Sequence, residues 1–161
     1  TENHDDFKDT VLVGLQPRGK SLCENIVKIL LSKYKINTVD YGFLDITFFR
    51  DDFRRNKDIL LPNKNDFKLL VENKKVVFID DVLYTGRTIR AALTAIESFG
   101  RPKTIELLIL VDRRFSRELP IQPDYKGVQV DVYENQKVNV KWNDNKHGNY
   151  VYIENMMNGK S

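Results

Sequence analysis

The chain has 161 residues, 41% of them hydrophobic and 30% charged, a composition typical of one globular domain rather than of a disordered or fibrous chain. Its 26 basic and 23 acidic residues give a formal net charge of +3, which is too balanced to indicate a nucleic-acid binder unless a basic patch forms locally. The single cysteine excludes an internal disulfide and favours a reducing cytoplasm, no apolar run approaches the roughly 18 residues of a membrane span, and the polar start does not resemble a signal peptide.

The first part of the chain predicts two strands around a helix. Val11–Leu15 is a short apolar run and predicts a buried strand, which opens into a tight loop at Gln16–Gly19. Ser21–Tyr34 carries apolar residues at helical spacing, with its first residue as a plausible N-cap. Phe43–Phe49 predicts a second strand.

A long polar segment separates these elements from a second strand and helix. Arg50–Lys75 is irregular and highly charged, and a loop of that length in a domain is usually functional or mobile. Val76–Ile79 is the continuous apolar run expected of a central parallel strand, and Asp80–Arg87 is expected to be the turn after it. Thr88–Phe99 predicts a helix that ends at Gly100.

The last part of the chain is rich in β-like segments. Thr104–Val111 predicts another apolar strand, and three shorter β-like pieces follow at Val128–Tyr133, Lys137–Trp142 and Tyr150–Ile153. Strands that alternate with helices indicate an α/β class with a central parallel sheet, here with a small β-rich appendage at the end.

One turn carries residue types suited to a phosphorylated sugar. Ligands of a parallel sheet bind beyond the carboxyl ends of its strands, and a helix start offers free N–H groups to an anion. Gly86 allows close approach of the backbone, and Thr85 and Thr88 add hydroxyl donors, so this turn is suited to a phosphate. The adjacent carboxylates of Asp80 and Asp81 suit the hydroxyls of a sugar diol. The alternative from these residues is a helix start without a ligand.

The string Val-Val-Phe-Ile-Asp-Asp-Val-Leu-Tyr-Thr-Gly-Arg-Thr at residues 76–88 resembles the signature of type I phosphoribosyltransferases. Together with Gly-Arg-Pro, Leu-Val-Asp-Arg and Arg-Glu-Leu-Pro-Ile it resembles the PyrR group, which comprises bacterial uracil phosphoribosyltransferases, many of which regulate pyrimidine operons by binding messenger RNA. The resemblance runs from Val11 to about Gly127. It implies the type I phosphoribosyltransferase fold, a central parallel sheet flanked by helices with a small β-rich hood and a flexible catalytic loop, in a single domain spanning residues 1–161.

The resemblance assigns roles around 5-phosphoribosyl 1-pyrophosphate (PRPP). The acidic pair would hold the ribose 2′- and 3′-hydroxyls and the turn the 5′-phosphate, and a pyrophosphate loop would face the leaving group. A flexible loop over about residues 50–75 would close over the substrates and exclude water. The residues implied for PRPP are Asp80, Asp81, Val82, Leu83, Tyr84, Thr85, Gly86, Arg87 and Thr88, those of the pyrophosphate loop are Pro17, Arg18 and Gly19, and the catalytic ones are Arg18, Arg50 and Asp81.

The segment expected to face the base is Val111, Asp112 and Arg113, and the chain departs from the group just after it. Arg114–Ser116 is one residue longer than the group's pattern and lacks its Gly and His, so base identity depends on the resemblance alone. A purine phosphoribosyltransferase is therefore one alternative. A second is a nucleotide- and RNA-binding regulator with little catalysis.

The implied ligands and partners are PRPP and uracil as substrates, UMP as product, pyrimidine-operon mRNA, no membrane, and a homo-oligomer of two or more copies. Mg²⁺ would act mainly through the substrate, with Asp80 and Asp81 as candidate protein ligands. RNA-binding members carry basic residues at positions that Gln122 and Val128 occupy here.

Some reactive residue types have no predicted chemical role. Cys23 lies among apolar residues of a helix and is expected to be a core residue. His4 is expected in a flexible end, His147 in a turn, and Trp142 in packing or an interface. Two histidines and one cysteine do not suffice for a zinc-type cluster.

Overall fold

Five parallel strands form the central sheet of the protein, in the order β2-β1-β3-β4-β5, and a separate antiparallel hairpin pairs β6 with β7. The computed structural model describes residues 2–4, 6–47, 71–133, 135–144 and 148–156. In chain order the elements are β1 (Thr10–Gln16), α1 (Gly19–Ser32), β2 (Asp40–Asp45), β3 (Lys75–Leu83), α2 (Arg87–Ile96) with a 3-10 turn at Glu97–Phe99, β4 (Thr104–Arg114), β5 (Tyr125–Asp131), β6 (Gln136–Asp144) and β7 (Gly148–Asn155).

The central strand β3 is covered on both faces, as its continuous apolar run predicts. Side chains alternate across a strand, so Val76 and Phe78 pack against α2, whereas Val77 and Ile79 pack against α1. Burial of each such side chain stabilises the fold by roughly 1.5–3 kcal/mol. The α/β class with a parallel sheet is confirmed, and Cys23 is fully buried in the cluster on the α1 side, as expected of a core residue.

Strands β3 and β4 extend beyond their apolar runs, which corrects the predicted boundaries. Asp80 and Asp81 belong to β3 and not to the turn after it. Likewise β4 continues through Arg114 instead of ending at Val111. The reason is backbone pairing: the β3–β4 ladder continues through Leu83 opposite Asp112, and polar side chains do not interrupt a ladder of main-chain groups.

The predicted bounds of the second strand and of the first helix were also wrong. The second strand is Asp40–Asp45 and so begins before the predicted Phe43, because the parallel register with β1 begins at Asp40; the predicted end at Phe48 and Phe49 lies outside the described residues. Helix α1 begins at Gly19, so Ser21 lies in its first turn and is not the cap.

The β-rich end divides between two sheets. The predicted piece at Val128–Tyr133 is β5 of the main sheet and not part of the appendage, since Val128 pairs in parallel with Val111 of β4. Only β6 and β7 form the appended hairpin. Val138 of β6 packs against Val111, and Trp142 packs against the α1-side cluster, so the hairpin is fixed near the carboxyl end of β4.

His4 is not in a flexible end, contrary to expectation. Its side chain is buried, with Nδ1 3.0 Å from Thr10 Oγ1 and Nε2 3.0 Å from Glu106 Oε2. The hydroxyl of Tyr125 donates to the same Glu106 oxygen at 2.7 Å. This polar cluster links the start of the described chain to β1, β4 and β5.

The predicted loop and His147 lie wholly or largely outside the residues that the structure describes. The expected loop at Arg50–Lys75 lies outside the described residues up to residue 70, while Lys75 begins β3, and His147 is also outside them. Within the described part of the chain, no helix has the length and apolar character needed to cross a membrane.

Candidate active site

The carboxyl ends of β1, β3 and β4 lie side by side and border one cavity of about 520 Å³. In a parallel sheet this edge is where ligands bind, because the strand-to-helix loops meet there. The described residues that line the cavity are Arg18, the run from Asp80 to Thr88, Arg113, Glu118, Gln136, Lys137, Val138 and Met156.

Two adjacent carboxylates are buried at the end of β3. Asp80 and Asp81 are only 6% and 4% exposed, and Oδ1 of Asp80 accepts the N–H of Asp81 at 2.9 Å. A carboxylate accepts hydrogen bonds and donates none, so a buried pair that lines a cavity is suited to hydroxyl donors or to a cation.

Burial disfavours the charged form of both carboxyls. It raises the pKa of Asp80 to about 8, with the negative charge of Asp81 as the second cause. Burial also raises the pKa of Asp81, while the Arg18 guanidinium opposes the increase at both groups. Ionisation of the pair is therefore unfavourable without a ligand, and a bound cationic or hydrogen-bond-donating ligand would favour the charged form.

The turn after β3 leads directly into helix α2. Gly86 is the N-terminal cap residue of that helix and has a left-handed backbone with φ 94°, which glycine adopts without strain. Among the described residues no side chain caps the helix, so its first N–H groups and the positive end of its dipole are available at the cavity. The N–H of Arg87 makes one long contact of 3.4 Å with Thr85 Oγ1. Such free N–H groups at a helix start are suited to an anion.

The loop after β1 brings Arg18 to the carboxylate pair. Gly19 begins α1 so close to β3 that a Cβ on it would lie 2.0 Å from the carbonyl oxygen of Ile79, and no side chain fits there. Arg18 lines the main cavity, but Pro17 borders a separate hollow near Lys20. The peptide bond between Gln16 and Pro17, just before this loop, is in the cis conformation.

Only one of the three residues expected to face the base lines the cavity. Val111 is fully buried in a cluster with Val132, and the Asp112 carboxylate accepts hydrogen bonds from Arg117 at 2.5 Å and Gln129 at 3.4 Å. Arg113 is the residue that reaches the cavity.

The guanidinium of Arg113 is buried without full hydrogen bonding. It lies over the Tyr84 ring at 4.0 Å from the centroid, and the side chain is 5% exposed. Within the described part of the chain, Nε and Nη2 have no hydrogen-bond partner. Unpaired buried donors are costly, so this side chain is suited to meet acceptor atoms of a ligand.

Several cavity residues were not identified from the sequence. Glu118 belongs to the loop after β4, and Lys137 and Val138 belong to the hairpin. Their amino-acid types alone do not indicate a site, because the packing of the loop and of the hairpin is what brings them to the cavity. The Arg-Glu-Leu-Pro string of the loop was the available sign for Glu118. Arg50, the remaining catalytic candidate, lies outside the described residues.

A parallel sheet with a carboxylate pair and a glycine turn at its carboxyl edge is the arrangement of a type I phosphoribosyltransferase. The phosphoribosyl transferase domain family matches residues 1–145. A relative named Bifunctional protein PyrR from a Thermoanaerobacter species is 45% identical over 152 residues, covering 94% of this chain and 84% of the relative. The protein of that name from Latilactobacillus sakei is 41% identical over 157 residues, covering 96% and 87%.

Among solved structures, a hypoxanthine phosphoribosyltransferase from Staphylococcus aureus superposes with a TM-score of 0.56 at 22% identity, over 85% of this chain and 70% of that one. At that identity the likeness shows the fold. The chain belongs to the phosphoribosyltransferase family and, within it, to the PyrR group.

Proposed function

We propose that this enzyme transfers ribose 5-phosphate from PRPP to N1 of uracil, forming UMP and releasing pyrophosphate. The observation that carries the proposal is one cavity in which the buried pair Asp80 and Asp81 lies beside the glycine turn and the exposed start of α2, with Arg18 on the same wall. In this proposal the pair accepts hydrogen bonds from the ribose hydroxyls, and the turn binds the 5′-phosphate through main-chain N–H groups and Thr88.

The proposed chemistry depends on positioning and charge rather than on a covalent intermediate. Departure of pyrophosphate leaves positive charge on the sugar, which nearby carboxylates such as Asp81 stabilise electrostatically. In this proposal Arg18 stabilises the negative charge that develops on the pyrophosphate leaving group. The same burial that raises the pKa of both Asp carboxyls makes their interaction with a positive sugar strong, because little water screens it.

Magnesium fits the donor set of this site. Hard oxygen donors are what Mg²⁺ prefers, and Asp80 and Asp81 supply carboxylate oxygens at the cavity. Among the described residues no group of three or more His, Cys, Asp or Glu could hold a metal ion, so the substrate would supply most ligands. When bound, the ion would neutralise pyrophosphate charge, and the two carboxylates would orient it against the ribose.

Arg113 is the proposed contact of the chain with the base. Its unpaired Nε and Nη2 are donors on one edge of the guanidinium, and they suit carbonyl oxygen acceptors such as those of uracil. The stacking of Arg113 on Tyr84 holds the guanidinium beside the turn that binds the phosphate.

A regulatory role in RNA binding is the second part of the proposal. A second cavity of about 630 Å³ is lined by Arg114, Lys126 and Phe115, and the Phe115 ring is 84% exposed. Exposed aromatic rings beside basic side chains are how proteins stack and hold single-stranded bases. Gln122 lines the same cavity as a neutral residue, and Val128 lies exposed on β5 nearby in the chain.

The deciding experiment measures pyrophosphate release from PRPP with uracil, hypoxanthine, guanine and orotate in turn. We expect release with uracil and little with the other three bases. A preference for hypoxanthine or guanine would establish the purine alternative instead. No release with any base, together with binding of pyrimidine-operon leader RNA, would favour a regulator with little catalysis.

The phosphate turn is tested by Thr88→Ala. Loss of a hydroxyl donor at the start of α2 should lower kcat/KM for PRPP by about 10²-fold, as for other oxyanion donors. Asp81→Asn should lower turnover by at least as much, because it removes a charge that the positive sugar requires.

The matched control for Thr88→Ala is Thr94→Ala on the same helix, because Thr94 is exposed and its hydroxyl donates to a carbonyl of its own helix, that of Arg90. This variant should keep wild-type kinetics. Wild-type turnover in both Thr88→Ala and Asp81→Asn would exclude the proposed site.

A further inference from the structure

The loop after β4 lies directly on the phosphate turn. The N–H groups of Glu118 and Leu119 donate to the carbonyl oxygen of Thr85 at 3.0 and 3.3 Å. The carboxylate of Glu118 accepts from Arg87 Nε at 2.7 Å. Main-chain and side-chain contacts therefore connect this loop to both ends of the turn.

Arg117 makes the most buried of these connections. Its Nη1 donates to the carbonyl oxygen of Tyr84 at 2.6 Å, and its Nη2 donates to Asp112 Oδ1 at 2.5 Å. The Asp112 side chain is 7% exposed and that of Arg117 23% exposed, so solvent screens this ion pair weakly. One guanidinium thus bridges the end of β4 and the first residue of the turn.

The turn has few constraints of its own. As a glycine, Gly86 permits other backbone conformations, and no side chain of the described residues caps α2. The contacts that enclose it come from the loop: a Cβ on Gly86 would lie 3.2 Å from Ile121 Cδ1 and 3.4 Å from Leu119 Cβ. The conformation that presents the N–H groups therefore depends on the loop above it.

We propose that Arg117 is a positioning residue that holds the turn from Tyr84 to Arg87 in its phosphate-binding conformation. This inference rests on the proposed function of the same turn and assigns part of its affinity to a residue that does not line the main cavity. A preorganised site loses less conformational freedom on binding, so loss of Arg117 should weaken binding of the phosphate group in particular.

The test compares Arg117→Gln with a matched control, Lys74→Gln. Lys74 also donates to a carboxylate in a part-buried ion pair, with Asp40 Oδ2 at 2.6 Å, but this pair lies at the amino ends of β2 and β3 and not at the turn. We expect Arg117→Gln to weaken binding of ribose 5-phosphate about tenfold by calorimetry and to raise KM for PRPP by a similar factor with a smaller change in kcat. Lys74→Gln should bind as the wild type does.

Hydrogen exchange provides a readout that a general loss of stability would not imitate. In Arg117→Gln the amides of residues 85–88 should exchange faster, whereas those of the β1–β3 ladder should keep their protection. Arg117→Lys keeps the charge but lacks the planar two-donor group, so it should leave the melting temperature near that of the wild type and restore affinity only in part.

Unchanged affinity for ribose 5-phosphate in Arg117→Gln would overturn the proposal, and so would a uniform increase of exchange over the whole sheet. If Arg117→Gln does not fold, Asp112→Asn is measured instead. That variant should shift affinity in the same direction by about threefold, and no shift would count against the proposal. Binding of ribose 5-phosphate requires no base, so the test stays distinct from failure of the uracil activity.

Discussion

At the scale of single residues, the buried carboxyl of Asp80 makes stability depend on pH. Burial and the neighbouring Asp81 raise its pKa to about 8, so between about pH 4 and 8 the folded protein holds a proton that the unfolded chain has lost. The contribution of Asp80 to the free energy of unfolding is therefore most favourable below about pH 4 and falls as the pH rises towards 8. The ligand-free site is thus least stable where its carboxylates carry the charge that the proposed catalysis requires.

Asp80→Asn should remove this dependence. At pH 8 the free energy of unfolding of the ligand-free variant should exceed that of the wild type by about 1–3 kcal/mol. At pH 4 the two free energies should be nearly equal. Thermal unfolding at pH 4, 6 and 8 measures it. Asp131→Asn is the control: Arg114 lowers the pKa of that exposed carboxyl, so no gain is expected. If Asp80→Asn is no more stable than the wild type at pH 8, then burial and the charge of Asp81 do not disfavour ionisation of Asp80.

At the scale of elements, helix α1 begins so close to strand β3 that only glycine fits at its first residue. Gly19 begins the helix with its Cα against the carbonyl of Ile79, and any Cβ would collide with that backbone atom at 2.0 Å. The contact fixes where α1 starts and so places Arg18 beside the carboxylate pair. A shift of the helix start would affect packing and the site together.

Gly19→Ala should therefore destabilise the fold by about 3 kcal/mol or more, since a backbone atom of the central strand cannot move aside as a side chain can. Gly148→Ala is the comparison: φ is +70° there, but no atom of the described residues lies within 4 Å of the added Cβ, so we expect backbone strain of about 1 kcal/mol. Urea unfolding of both variants measures the difference. Equal costs would show that α1 can withdraw from β3 without penalty.

At the scale of the whole molecule, local sequence predicted the parallel sheet and the part of the candidate site that is contiguous in the chain. Val76 to Thr88 contains an apolar run, two acidic residues and a glycine turn, which were enough to predict a strand and a carboxylate pair and to suggest an anion site after them. Lys137 lines the cavity and Arg117 contacts the turn from other parts of the chain, and their positions depend on how the hairpin and the β4 loop pack. His4 was misjudged for the same reason, because its partners Glu106 and Tyr125 are over a hundred residues away.

The molecule as a whole carries little net charge, so any RNA binding depends on a local surface. The candidate surface is the second cavity, where Phe115 is exposed beside Arg114, with the guanidinium carbon 5.1 Å from the ring centroid. A base stacked on such a ring contributes about 1–3 kcal/mol, whereas each phosphate contact contributes a salt-dependent term. The two contributions can be separated by mutation.

Phe115→Ala should weaken binding of pyrimidine-operon leader RNA by about 5- to 100-fold at fixed salt, with little change in the slope of log K against log salt. Lys126→Gln should instead reduce that slope by about one, since one phosphate contact is lost. Tyr133→Ala is the matched aromatic control, because Tyr133 is 76% exposed and does not line either cavity. Filter binding from 50 to 200 mM salt, with and without UMP, distinguishes these outcomes. RNA affinity that is the same in Phe115→Ala and Tyr133→Ala would place RNA binding elsewhere on the molecule.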